Sequence, residues 1–201
     1  MIRILTGGAV AAAVLSVLSA QAEQRQVVRV VGQIASSDGA TIVVKQAKGG
    51  DAKVKLRPKA NIFGVVRATL ADIKPGAFIG VGATPQADGS QKAIRVMIFA
   101  ETQRGSNEGH RPWNRPGTTM TNATVDTTVK SIEGRVLMVK YKGGTQKIII
   151  GKDATVMAYV VGSRAELKPG AYVAINNAAK MPDGSLETSR VNVGRGDIRP
   201  N

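Results

Sequence analysis

Cysteine is absent from this 201-residue chain. Its absence excludes a disulfide framework, a lipid-modified N-terminal cysteine, thiolate metal sites and thiol catalysis. Histidine occurs once, as His110, so a Ser-His-Asp arrangement would have to use that single ring, and no G-x-S-x-G elbow surrounds any serine. Aromatic residues make up 3% of the chain, too few to punctuate the strands with the flat faces on which single-stranded nucleic acid stacks. Neither GxxxxGK[ST] nor GxGxxG occurs, so the glycines do not spell a phosphate loop. Beyond the N-terminal segment every apolar run is broken by Lys, Arg, Asp or Gly well short of the ~20 residues a spanning helix needs. Acidic side chains are also scarce, 14 against 28 Lys and Arg, for a formal charge of +14.

The chain opens with Met1-Ile2-Arg3, a mostly apolar run from Ile4 to Leu18, and Ala20-Gln21-Ala22 ahead of the polar Glu23-Gln24-Arg25. These are the three parts of a secretory signal peptide, and we expect cleavage after Ala22 and a periplasmic destination. Export does not relieve the basic excess, because Arg3 is the only charged side chain in residues 1–22. Such an excess attracts polyanions. In a cell envelope these are lipopolysaccharide phosphates, anionic lipid headgroups and acidic glycans, whereas an exported protein rarely meets nucleic acid. The expected partner is therefore an anionic envelope component or an envelope protein.

Set against itself with an offset of 94 to 95, the remaining chain matches from end to end. Asp72-Ile73-Lys74-Pro75-Gly76-Ala77-Phe78-Ile79-Gly80-Val81 pairs with Glu166-Leu167-Lys168-Pro169-Gly170-Ala171-Tyr172-Val173-Ala174-Ile175. Asp38-Gly39 pairs with Glu133-Gly134, Asp88-Gly89-Ser90 with Asp183-Gly184-Ser185, and Arg95-Val96 with Arg190-Val191. The expected organisation is a signal peptide at 1–22, a first β-barrel repeat at 23–100, a connector at 101–121 and a second repeat at 122–201.

Each copy reads as β by period. Lys53-Val54-Lys55-Leu56-Arg57 alternates strictly, as a strand with one wet face must. Val, Ile and Thr dominate further segments near 27–34, 40–46, 77–83 and 91–99, with equivalents near 123–131, 135–141, 145–151, 171–179 and 185–193. Thr69 with Asp72, and Ser163 with Glu166, are spaced to cap one helical turn before Lys-Pro-Gly. Five strands with a helical turn between the third and fourth are the element order of an OB-like barrel. The expected fold is thus all-β, two tandem five-stranded OB-like barrels, each copy closing on itself. Phe78 and Tyr172 follow Pro-Gly-Ala at the same place in both copies, which points to a core role.

Gly32-Gln33-Ile34 and Asp38-Gly39, the Lys-Pro-Gly-Ala turns at 74–77 and 168–171, and the closing Asp-Gly-Ser turns carry a resemblance. The chain resembles a family of small OB-like β-barrel domains, often in tandem, in exported bacterial proteins of uncharacterised function. The resemblance implies binding and not catalysis. Sequences of this kind sometimes carry the label of a metal ABC transporter permease, which one signal-type segment does not fit, since a permease needs several spans.

Residues 101–121 have no counterpart in the repeat and hold the only histidine and the only tryptophan. Arg104, His110, Arg111, Trp113 and Arg115 there could form a recognition surface, forked guanidinium donors beside a flat ring. Against that, Trp113 between Pro112 and Pro116 reads as a packing staple, since large aromatics are usually buried for packing. Lys53, Lys55 and Arg57 supply a basic strand face. The leading expectation is a periplasmic binding or scaffolding module and not an enzyme, with no cofactor. The alternative is a periplasmic metal-handling protein using His110 and methionines, for which one imidazole is a thin ligand set.

Overall fold

Alternating apolar and polar residues organise the computed structural model, which describes residues 26–47, 49–131 and 134–200. The expected signal peptide and Glu133 lie outside the described residues. Twelve strands run in order among them: β1 (Val27–Ser37), β2 (Thr41–Gln46), β3 (Asp51–Arg67), β4 (Phe78–Pro85), β5 (Gln91–Ile98) and β6 (Gly109–Pro112). They continue with β7 (Thr119–Ser131), β8 (Gly134–Tyr141), β9 (Gly144–Gly151), β10 (Thr155–Val161), β11 (Tyr172–Lys180) and β12 (Leu186–Gly194). In β3, Ala52, Val54 and Leu56 are buried while Lys53, Lys55 and Arg57 are exposed, as the alternation requires. No helix among the described residues is long and apolar enough to cross a membrane.

Local chemistry sets the reversals. Asp88 Oδ1 accepts from the Ser90 N–H at 3.0 Å, and Asp183 Oδ1 from the Ser185 N–H at 2.9 Å. The glycines between, Gly89 and Gly184, sit at φ +79° and +78°, where a Cβ would be strained. The expected helical turns are single 3-10 turns, Leu70–Asp72 and Arg164–Glu166. Each is closed by its acid, Asp72 accepting from the Thr69 N–H at 2.8 Å and Glu166 from the Ser163 N–H at 3.0 Å.

A closed five-stranded barrel runs β1–β2–β3–β12–β11 and back to β1, antiparallel except for the parallel β3–β12 pair. Its core holds Val30, Ile34, Ile42, Val44 and Val54 with Val173, Ile175, Val191 and Val193. A second ring of pairings runs β7–β8–β9–β5–β4 and back to β7, the parallel β9–β5 contact being Gln91 with Ile148 and Lys92 with Ile149. Its core joins Ile73, Ile79, Val81 and Val96 to Val125, Leu137, Val139, Ile148, Ile150 and Val156.

These pairings correct the expectation that each copy closes on itself. The first three strands of one copy close on the last two of the other, and the reason lies in β3. At 17 residues it spans roughly 55 Å, and it carries the chain out of the first ring before the 3-10 turn. Pro58 is tolerated there because the β3–β12 register jumps between Leu56 and Asn61, so its missing N–H breaks no ladder bond. The returning strand β10, unassigned from the sequence, runs antiparallel to the end of β3, with Tyr159 opposite Val65. As a result the second ring is a continuous stretch of chain, nested between the two halves of the first.

The connector is itself structured. A 3-10 turn at Glu101–Gln103 leads to β6, which pairs antiparallel with β7 from Gly109–Asn122 to Pro112–Thr119.

Candidate functional site: an arginine-lined cleft

Arg95 and Arg190 each precede a fully buried valine, Val96 and Val191, so alternation turns both outward from the ring interiors. Crossing strand β10 lies between those outer faces, pairing with β5 and β3. The result is one cleft of about 640 Å³, floored by Arg95, Arg190, Tyr159 and Asn192 and flanked by Arg29 of β1. The connector supplies the opposite wall with Arg111, Trp113 and Arg115. Five arginines therefore line one concavity, and no carboxylate is found among its described lining residues.

What holds these side chains is mostly amide oxygen and aromatic ring. Arg29 Nε donates to Asn176 Oδ1 at 3.1 Å, Arg190 Nε to Asn192 Oδ1 at 3.2 Å, and Arg111 Nη1 to the Asn107 carbonyl at 2.9 Å. The Arg190 guanidinium also lies 4.8 Å from the Phe63 ring centre and 5.0 Å from that of Tyr159. Tyr159 in turn packs against Phe63 and Phe99, and Phe99 against Phe78. Burial holds Arg95 below the ordinary guanidinium value, with the charges of Arg115 and Arg29 adding to the effect. Burial does the same to Arg190, against the opposing influence of Tyr159. The Tyr159 phenol is raised by burial, opposed by Arg190, Arg95 and Arg29. Arg95 and Arg190 are half-buried and Arg29, Arg111 and Arg115 exposed; five like charges around one concavity attract a negatively charged occupant.

Trp113 lines this cleft, half-buried, with its ring against Gly82 of β4. Gly82 makes that possible, because a Cβ there would come within 2.5 Å of the indole. Arg115 sits over the same ring at 5.8 Å. Trp113 is thus both packed and lining, which joins the two readings of it.

Of the residues singled out in the sequence, Arg111, Trp113 and Arg115 meet in the cleft; the others do not. Arg104 is a clamp, bonded to Glu101 and donating to the Gly76 carbonyl at 2.9 Å. His110 is bonded through Nδ1 to the Thr121 hydroxyl at 2.7 Å and stacks with Tyr141. No group of three or more His, Cys, Asp or Glu side chains suited to a metal occurs among the described residues. Lys53, Lys55 and Arg57 lie on the outer face of β3, where Asp183 approaches Lys55 at 3.6 Å and Glu187 binds Arg57 at 2.9 Å. Phe78 is buried, whereas Tyr172 is half-buried beneath Arg199. Sequence reasoning missed Arg29, Arg95, Tyr159 and Arg190. A signal for two of them was present, since Arg95 and Arg190 are the same position of the repeat. Comparison with protein-family models, with curated proteins and with solved structures gave no match.

Proposed function

We propose that this chain is an exported, periplasmic binding module, both of its rings acting as OB-like barrels, and that the cleft between them engages an anionic envelope component. The observation that carries the reading is the set of five arginines around one concavity whose described lining holds no carboxylate. The half-buried floor arginines bind in a low-dielectric setting, where a charge-assisted bond is stronger than on an open surface. The exposed Arg111 and Arg115 steer the ligand toward them. No nucleophile or acid–base pair enters this account; the module holds its ligand and does not transform it.

Titrating residues 23–201 with anionic envelope glycolipid at graded salt tests the reading. Binding should be strong at low salt and fall as salt rises. Replacing Arg95 or Arg115 by Gln should weaken it about tenfold or more, a charged hydrogen bond contributing ~1.5–3 kcal/mol. Binding that ignores both salt and these substitutions would overturn the assignment of the cleft.

A further inference from the structure

The chemistry of the walls narrows the occupant further, an inference that rests on the anion-binding reading above. Arg95 and Arg190 are half-buried on the floor with Tyr159, while Arg29 of β1 and, beside Trp113, Arg111 and Arg115 of the connector are exposed. Cationic groups are therefore available at two levels, the floor and the rim. Aromatic faces are not equally available. Tyr159 is covered by Phe63, Phe99 and the Arg190 guanidinium, and Phe99 lies between Tyr159 and Phe78. The indole of Trp113 is close to Gly82 and has Arg115 over its ring. A base would find no stacking platform of the kind single-stranded nucleic acid uses.

Besides the arginines the cleft is rich in amide and hydroxyl side chains. Asn107, Asn114, Asn122, Asn176 and Asn177 line it with Ser189. An asparagine amide both donates and accepts, which matches a hydroxyl that does the same. The volume lies within the ~300–1,000 Å³ of small-molecule sites. We infer that the cleft takes a saccharide bearing at least two phosphate groups, one held by the floor arginines and one by the rim, with the sugar hydroxyls on the lining asparagines.

Calorimetric titration of residues 23–201 with glucose 1,6-bisphosphate, inorganic pyrophosphate, glucose and ADP separates the possibilities. The sugar bisphosphate should bind at least tenfold more tightly than pyrophosphate or ADP, and glucose should not bind measurably. Asn177→Ala should erase most of the margin over pyrophosphate, and Arg115→Gln should weaken the sugar bisphosphate about tenfold while leaving the thermal midpoint unchanged. Arg190→Gln removes a group stacked on two rings, so its thermal midpoint is recorded beside its affinity. Equal binding of pyrophosphate and sugar bisphosphate, or tighter binding of ADP, overturns the saccharide while leaving the anion site standing. Failure of every phosphate compound to bind overturns both. Vesicles of phosphatidylcholine with and without a diphosphorylated disaccharide glycolipid distinguish a membrane-held headgroup from a free sugar phosphate: co-sedimentation with the doped vesicles, competed by glucose 1,6-bisphosphate, places the same chemistry on a lipid.

Discussion

Cutting the chain at the repeat boundary and cutting it at the ring boundary should have opposite effects. A fragment of residues 26–100 is one full repeat, yet its β4 and β5 lose the partners that cover them. Val125, Leu137, Val139, Ile148, Ile150 and Val156 are all missing from their core. Each such side chain contributes about 1.5–3 kcal/mol when buried, so the deficit is roughly 9–18 kcal/mol, as large as the ~5–15 kcal/mol that keeps a whole domain folded. A fragment of residues 68–158, which respects no repeat boundary, keeps every member of that core. The expectation is that 68–158 is a monomer with dispersed amide resonances and a cooperative melt. The repeat fragment should be unfolded, or else dimeric, two copies lending each other their last two strands. Light scattering after size exclusion, with far-ultraviolet circular dichroism, reads both. A compact, folded monomer of 26–100 would refute the exchanged connectivity.

Two further outcomes follow from single positions. Asp38, Asp88 and Asp183 accept backbone N–H bonds in turns and sit below the ordinary carboxylate range, Asp38 through the Thr41 and Ala40 N–H groups and the other two first through the Ser90 and Ser185 hydroxyls. Depressed carboxyls contribute stability that is present above the unfolded-state value and lost as pH falls through the folded one. The double variant Asp88→Asn, Asp183→Asn should therefore flatten the loss of thermal midpoint below about pH 4; an unchanged acid slope would count against these turns as its source. Gly82→Val would drive a side chain into the indole of Trp113, so tryptophan emission should shift to the red as the ring is expelled into water, and glycolipid affinity should drop. Unshifted emission would mean that the connector wall is not held by this contact.

Local pattern made the strands and turns legible. Ala52, Val54 and Leu56 are inward because the chain alternates, and Asp88-Gly89-Ser90 turns because its side chain and its glycine both demand it. Which of the pairs β4–β5 and β11–β12 closes which ring was not legible, because the two copies present near-identical faces. Ile79 and Val173 or Val96 and Val191 fit either partner, and sequence periodicity is blind to the choice. The deciding feature is that residues 52–63 hold no Gly, Asp or Ser and that Pro58 falls where β3 has no ladder partner, so β3 runs on past its ring. The cleft was half legible for the same reason. Trp113, Arg111 and Arg115 stood out in an unrepeated segment, whereas Arg29, Arg95 and Arg190 looked like ordinary outward residues until the crossing of β3 and β10 turned two outer faces toward each other. Lys55 and Arg57 were legible as a basic face but their partners were not: the turn before β12 and β12 itself bring Asp183 and Glu187 beside them.

Nesting also imposes an order of arrival. Synthesis from the N-terminus delivers β1, β2 and β3 first, but the strands that seal them, β11 and β12, come last, after the whole inner ring. Until residue 194 has emerged, the early sheet keeps two unsealed edges, a state open to pairing with other chains. Through that interval the Lys53, Lys55 and Arg57 row gives β3 a run of like charge that opposes sheet-to-sheet pairing, and Asp183 and Glu187 meet Lys55 and Arg57 only when the last strands arrive.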